Sequence, residues 1–206
     1  MKTKDLIIGG IVVTGVYLLV KSFQKREEYP IVEYTLPASV PISDKTHAAV
    51  MRWHPLLMSI GRNLQVEPAV LAAIIHRESE GMPEALRYEP KKKDYSYGLM
   101  QILSETARWL GFNADNDFLF EPEINIHYGA KYLKNRFETF GTMYDAVSAY
   151  NCGTPDHSSG QYTNQKYVDF VVNLVPVYRK YFRYFYKDYD GQVSMSKDIF
   201  DPSYFW

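Results

Sequence analysis

Glu78 is the carboxylate of this 206-residue chain whose setting best suits acid catalysis. Three apolar residues share its predicted helix face at α-helical spacing: Leu71, Ile74 and Ile75. Poor solvation there, together with the negative end of the helix dipole, raises the pKa of a carboxyl group. Cleavage of a glycosidic bond needs a carboxylic acid that stays protonated near neutral pH. The alternative is a structural carboxylate that turns to water or pairs with Arg77 or Arg87.

Two later segments carry polar groups that suit a sugar ligand. In residues 97–101, Gly98 permits a close backbone approach, and the amide of Gln101 can both donate and accept hydrogen bonds. In residues 149–153, the hydroxyl of Tyr150 and the amide of Asn151 stand at the predicted end of a helix. A Tyr-Asn pair before glycine is also an ordinary helix terminus, so these residues alone leave a structural role open.

These residues belong to four motifs whose order and spacing resemble the soluble lytic transglycosylase-like domain, a family with a lysozyme-like α-helical fold. The motifs are Glu78-Ser79, then Tyr97-Gly98-Leu99-Met100-Gln101, then Ile126-x-x-Gly129-x-x-Tyr132-Leu133, and finally Ala149-Tyr150-Asn151-x-Gly153. The resemblance covers about residues 65–170, and Tyr167-Val168 resembles a late Tyr-Val pair of the family. One departure precedes Tyr167, where Thr163 and Asn164 stand in place of a frequent Glu-Thr pair.

The resemblance implies a peptidoglycan-cutting enzyme that cleaves between N-acetylmuramic acid and N-acetylglucosamine without hydrolysis. Glu78 matches the single catalytic acid and base of the family. Four further residues match positions that bind substrate along the cleft: Ser79, Gln101, Tyr150 and Asn151. The muramic C6 hydroxyl would attack C1 and leave a 1,6-anhydro end. The resemblance implies no cofactor, and the five histidines show no metal-ligand spacing.

Two other functions are alternatives. A lysozyme-type inverting hydrolase needs a second carboxylate to activate water. Goose-type lysozymes have an aspartate two residues after the motif glutamine, where this chain has Leu103, so Asp94 is the remaining candidate base. A glycan-binding structural component of a phage particle or secretion machine is the other alternative, and the intact Glu78 argues against a domain that has lost its activity.

An uncharged apolar run occupies residues 6–20. It is shorter than the about 20 residues that a bilayer core requires, but the flanking Lys21 can reach the interface. We therefore predict a single transmembrane anchor at 1–20 and an extended, proline-containing linker at 21–42. The catalytic domain should face the periplasm or cell wall, or belong to a virion membrane. A cleaved signal peptide is the alternative, and the basic residues after the run weakly favour the opposite orientation.

The rest of the chain predicts an all-α fold, a compact lysozyme-like multi-helix domain at 43–188 with a tail at 189–206. Helices are expected from 43 to about 60 with a kink at Pro55, at 68–79, at 104–110 with Ser104 as the cap, at 122–140, from Thr142 onward, and at 165–186 with an interruption at Pro176. Residues 84–97 are interpreted as a polar loop. A net charge of −1 gives no argument for nucleic acid as a partner.

Overall fold

The computed structural model describes residues 45–158 and 160–182. Seven α-helices, a short 3-10 helix and three short β-strands lie within them. The helices are α1 Lys45–Met51, α2 His54–Leu64, α3 Pro68–Ser79, α4 Ser104–Trp109, α5 Pro122–Phe140, α6 Met143–Cys152 and α7 Gln165–Arg179. The strands are β1 Leu86–Glu89, β2 Asp94–Tyr97 and β3 Ile102–Leu103, and the 3-10 helix is Asn116–Phe120.

Helices with strong local start signals lie where the sequence predicts them. Pro68 and Pro122 occupy the first turns of α3 and α5, where a proline has no hydrogen bond to lose. Thr142 caps α6, because its hydroxyl accepts a hydrogen bond from the Asp145 N–H at 3.1 Å. The predicted boundaries of α3 and α5 are therefore confirmed.

Four details of the predicted helices are wrong, and one of them is the end of the last helix, which lies at 179 rather than at 186. Pro55 does not kink one long helix but stands in the first turn of a second helix, α2. Pro176 does not interrupt α7, because Val175 and Tyr178 on either side of it are fully buried and hold the helix to the core. Ser104 is the first residue of α4, whose cap position is Leu103, and it makes no capping bond of its own.

Residues 86–97 form a β-hairpin rather than the predicted loop, so the fold is mostly helical with one small antiparallel sheet. The strand order is β1-β2-β3, with Leu86 opposite Tyr97 and Glu89 opposite Asp94. Strand β3 pairs with β2 through Ser96 and Leu103. Successive side chains of a strand point to opposite faces, so this register separates an aromatic face from a polar face that includes Arg87.

Helix α3 is the centre of the core, with residues 69–75 fully buried. A helix that is apolar on all sides needs neighbours on all sides, and α7 is the main one, through Val168, Val171 and Val175. The two helices run antiparallel, because their opposite ends meet. Arg179 at the end of α7 pairs with both oxygens of the buried Glu67, which precedes α3, at 2.6 and 3.0 Å.

The predicted anchor, the predicted linker and the predicted tail lie outside the described residues. Among residues 45–158 and 160–182, no helix combines the length and hydropathy that a membrane span would need. The same part of the chain contains no cluster of three or more histidine, cysteine or acidic side chains arranged to hold a metal ion.

Candidate active site

Glu78 lies in the last turn of α3, and only 6% of its side chain is exposed. Two other elements reach its carboxylate. The Tyr167 hydroxyl, from the first turn of α7, donates a hydrogen bond to Oε1 at 2.7 Å. Arg87, from β1, places Nη2 3.6 Å from Oε2. Glu78 thus stands where the central helix, the last described helix and the hairpin meet.

The pKa of Glu78 is raised above its ordinary value. Burial is the largest cause, because it disfavours the charged carboxylate. The Tyr167 hydrogen bond and the charges of Arg87 and Arg77 act in the opposite direction, and the negative charge of Glu89 adds to the rise. The raised pKa that the apolar-face position predicts is therefore confirmed in direction, with burial as its main cause.

Arg87 is shared between two carboxylates. Its Nε donates a hydrogen bond to Glu89 Oε1 at 2.5 Å, while Nη2 faces Glu78. The side chain is 54% exposed, so water screens both contacts. The sequence leaves open that pairing with Arg87 makes Glu78 a purely structural carboxylate. The structure contains this contact, and the pKa of Glu78 is nevertheless raised.

Two tyrosines close the buried side of the site. The Tyr150 hydroxyl, from α6, donates to the Met100 carbonyl at 2.9 Å. Burial, followed by the nearby Glu78 charge, raises the pKa of both Tyr150 and Tyr167 well above the usual range. Both phenols therefore remain neutral hydrogen-bond donors at physiological pH.

The turn at residues 98–101 is held from below by α5. Asn125 is fully buried, and its Oδ1 accepts from the Met100 N–H at 2.7 Å while Nδ2 donates to the carbonyls of Tyr97 and Leu119. A Cβ on Gly98 would lie 2.4 Å from Asn125 Nδ2, and Gly98 has a φ of +66°. A Cβ on Gly129 would likewise lie 2.4 Å from Met100 Sδ. Both motif glycines are thus required by close packing.

Ser79 and Gln101, which the sequence predicts to bind substrate, are both buried and hydrogen-bonded to backbone carbonyls. The Ser79 hydroxyl donates to the Leu99 carbonyl at 2.7 Å, and the residue is 4% exposed. Gln101 is 8% exposed, and its Nε2 donates to the carbonyls of Ala85 and Gly98. Their polar hydrogens are used within the protein: Ser79 joins the helix of Glu78 to the turn at residues 98–101, and Gln101 joins that turn to the loop before β1.

Asn151 is the predicted substrate-binding residue that stays exposed. Its Oδ1 accepts a hydrogen bond from Asn164 Nδ2 at 3.0 Å. Asn164 also bonds Ser148, accepting from its hydroxyl and donating to its carbonyl. Within the described residues the amide N–H groups of Asn151 make no hydrogen bond, so they can donate to a ligand. Asn164, where the chain departs from the family pattern, orients this amide.

The carboxylate of Asp94 is hydrogen-bonded to the first residues of α4. Its Oδ1 accepts from the Ser104 hydroxyl at 2.6 Å and from the Tyr95 N–H at 2.7 Å, and its Oδ2 accepts from the Glu105 N–H at 2.9 Å. Partial burial raises the pKa of Asp94, but these hydrogen bonds outweigh it and leave the pKa lowered. A carboxylate bound in this way is a helix cap, which argues against its use as a water-activating base.

Tyr167 contacts Glu78 but is not among the site residues that the sequence predicts. The late Tyr-Val pair points to it, but its role depends on a partner 89 residues away. Leu103 stands where goose-type lysozymes have an aspartate. It lies in β3 opposite Ser96 and supplies no carboxylate. The site therefore holds one buried acid, Glu78, with a phenol and a guanidinium group as neighbours, those of Tyr167 and Arg87.

One protein family and several known proteins are similar to this chain. The family described as Transglycosylase SLT domain matches residues 56–169. The X polypeptide of Escherichia coli is 30% identical over 122 residues, which are 57% of this chain and 69% of that protein. A protein named Transglycosylase from Enterobacteria phage PRD1 is 26% identical over 117 residues, 56% of this chain and 40% of the phage protein.

Two solved structures share the fold. The lytic transglycosylase Slt from Pseudomonas aeruginosa, solved as an inactive mutant, has a TM-score of 0.53 at 22% identity. The 70 kDa soluble lytic transglycosylase from Escherichia coli has a TM-score of 0.53 at 21% identity. The matches cover 65% and 64% of this chain but only 25% of either enzyme.

Proposed function

This chain belongs to the transglycosylase SLT domain family, and from that premise we propose that it is a peptidoglycan lytic transglycosylase. In this proposal it cleaves the β-1,4 bond between N-acetylmuramic acid and N-acetylglucosamine and forms a 1,6-anhydromuramic end. The observation that carries the proposal is one buried carboxyl group, Glu78, with a raised pKa and a phenol on one oxygen. Peptidoglycan glycan strands are the proposed partner.

Glu78 would act first as an acid. Its Oε1 accepts the Tyr167 hydrogen bond, so we place the catalytic proton on Oε2. That proton passes to the glycosidic oxygen as the bond from this oxygen to C1 breaks, and N-acetylglucosamine leaves with a hydroxyl group. The exposed amide of Asn151 can donate a hydrogen bond to the bound sugar.

Glu78 would act next as a base. The carboxylate takes the proton of the muramic C6 hydroxyl while O6 bonds to C1, which closes the anhydro ring and restores the acid. An intramolecular nucleophile can offset about 7–11 kcal/mol of barrier when it is well oriented. The capping role of Asp94 supports this route over hydrolysis, because the other carboxylate considered for water activation is bound to α4.

Replacement of the acid tests the proposal. Glu78→Gln should lower the rate of glycan cleavage by at least about 100-fold, because it removes the proton donor. Glu84→Gln, the same change at an exposed position of the following loop, should retain the wild-type rate. Mass spectrometry of digested peptidoglycan should find 1,6-anhydromuramic ends. Activity of Glu78→Gln within a few-fold of wild type, or reducing ends as the main product, would contradict the assignment.

A further inference from the structure

The hairpin ends in a turn that carries three consecutive lysines, Lys91, Lys92 and Lys93, here called the lysine turn. All three are exposed. The backbone fixes the turn, because the Lys92 N–H donates to the Glu89 carbonyl at 3.0 Å and Lys93 has a φ of +52°. The last residue pair of the β1-β2 register, Glu89 with Asp94, flanks the turn, so the three lysines lie together at the tip of the hairpin.

The acids that flank the lysine turn do not neutralise it. Glu89 Oε1 accepts hydrogen bonds from Arg87 Nε and the Ser96 hydroxyl. Asp94 is bound to the start of α4. Within the described residues, no carboxylate lies within ion-pair distance of the three lysines. The tip therefore presents positive charge to solvent that its own neighbours do not compensate.

The hairpin connects this charge to the proposed active site. Arg87, in the middle of β1, reaches the carboxylate of Glu78. A strand advances about 3.3 Å per residue, so the lysine turn begins on the order of 10–15 Å beyond Arg87. A peptide of about four residues spans roughly the same distance when it is extended.

We propose that the lysine turn binds the carboxylates of peptidoglycan stem peptides while Glu78 acts on the glycan that bears them. The inference rests on the proposed function. Stem peptides branch from muramic acid, the sugar that reacts, and they carry free carboxylates. Neutral sugar rings offer an ammonium group no opposite charge, whereas a carboxylate does. The lysine turn would thus favour strands that still carry their acidic peptides.

Charge removal at the turn tests this inference with two substrates. One is intact peptidoglycan, and the other is the same material after chemical amidation of its carboxylates. The variant is Lys91→Gln, Lys92→Gln, Lys93→Gln. Its matched control removes the same charge at three exposed positions away from the hairpin, Lys45→Gln, Lys166→Gln, Lys180→Gln. Circular dichroism verifies that both variants keep the helical fold.

We expect the lysine-turn variant to lose about 3- to 10-fold in kcat/KM on intact peptidoglycan at low salt, as befits a few exposed ion pairs. The control should lose much less, amidated peptidoglycan should be cut equally by all forms, and added salt should erase the difference. Equal rates of the two variants on intact peptidoglycan, or equal losses on both substrates, would overturn the inference. So would a variant that keeps its rate but no longer binds phosphatidylglycerol vesicles, because the turn would then be a lipid contact.

The inference and the proposed function can fail separately. If wild-type protein cuts neither substrate, the proposed function fails. Binding of the same proteins to sedimented peptidoglycan, intact or amidated, then still tests the lysine turn. A selective loss of binding to the intact material by the lysine-turn variant supports the inference, and identical binding by the two variants overturns it.

Discussion

Glu78 is surrounded by groups with opposite effects on its protonation. Burial and Glu89 favour the neutral acid, whereas Tyr167, Arg87 and Arg77 favour the carboxylate. Tyr150, which packs nearby, is a neutral phenol. In the proposed cycle Glu78 gives up a proton and then takes one back. Its pKa must therefore be neither so high that it keeps the proton nor so low that it stays charged, and each neighbour affects both steps.

Arg87→Gln tests this balance. Removal of the positive charge should raise the pKa of Glu78 further. A general acid works only while protonated, so the alkaline limb of the kcat/KM profile should move to higher pH. The plateau should change by less than about 10-fold, because the guanidinium is half exposed.

The matched control is Arg108→Gln, which removes a cation from α4 that bonds Asn116 instead. Its pH profile should coincide with that of the wild type. A profile of Arg87→Gln that does not move, or that moves toward lower pH, would show that Arg87 does not tune Glu78.

Local sequence signals account for part of the fold at the level of single elements. Pro68, Pro122 and Thr142 mark helix starts correctly, because caps and first turns depend on neighbouring residues. The hairpin escaped prediction because its turn is a run of lysines, and because the alternation of Leu86 and Tyr88 with charged residues is only four residues long. Short alternation of this kind is a weak strand signal.

The site shows the same division between local and distant information. The helical spacing of Glu78 with apolar residues predicts its burial correctly. The roles of Ser79 and Gln101 depend on carbonyls that the turn brings to them, and no spacing rule gives those partners. Tyr167 becomes a site residue only because α7 packs antiparallel to α3. Family resemblance identifies such positions but not what each side chain bonds.

Asp94→Asn tests the assignment of Asp94 as the cap of α4. The amide keeps one acceptor and loses the charge, so unfolding free energy should fall by about 1 kcal/mol and Tm by a few degrees. Cleavage should slow by no more than a few-fold, and products should still end in anhydromuramic acid.

Asp117→Asn, at an exposed position of the 3-10 helix, is the control for thermal unfolding and should leave Tm unchanged. The digestion products can contradict the assignment of Asp94 as a cap. If wild-type digests contain mainly reducing muramic ends and Asp94→Asn eliminates them, Asp94 activates water and the protein is a lysozyme.

At the scale of the whole molecule, we propose that residues 1–20 anchor the domain to a membrane through the linker at 21–42. A bacterial envelope and a virion are both settings for such an anchored cutter, with the domain on the side of the cell wall. The described helices, including those that surround Glu78, begin at Lys45.

Fractionation of two chains tests the anchor. The full-length protein should sediment with membranes. A chain that starts at Ser43 should stay in the supernatant and keep at least about half of the activity, because the described contacts of Glu78, with Tyr167 and Arg87, lie downstream. The mass of the purified full-length protein provides the check. A mature chain that begins after residue 20 would mean that a signal peptide had been removed.

The contacts of Asn125, Gly98 and Gly129 fix the turn at residues 98–101 without using the carboxylate of Glu78. Ser79 and Gln101 also direct their polar hydrogens to this turn, through the carbonyls of Leu99 and Gly98. Loss of Glu78 alone would leave every one of these contacts in place. A single substitution could therefore convert such a domain into a lectin that still matches the family in any survey of sequence motifs. In this fold, a single substitution at Glu78 would therefore separate membership of the family from the proposed activity.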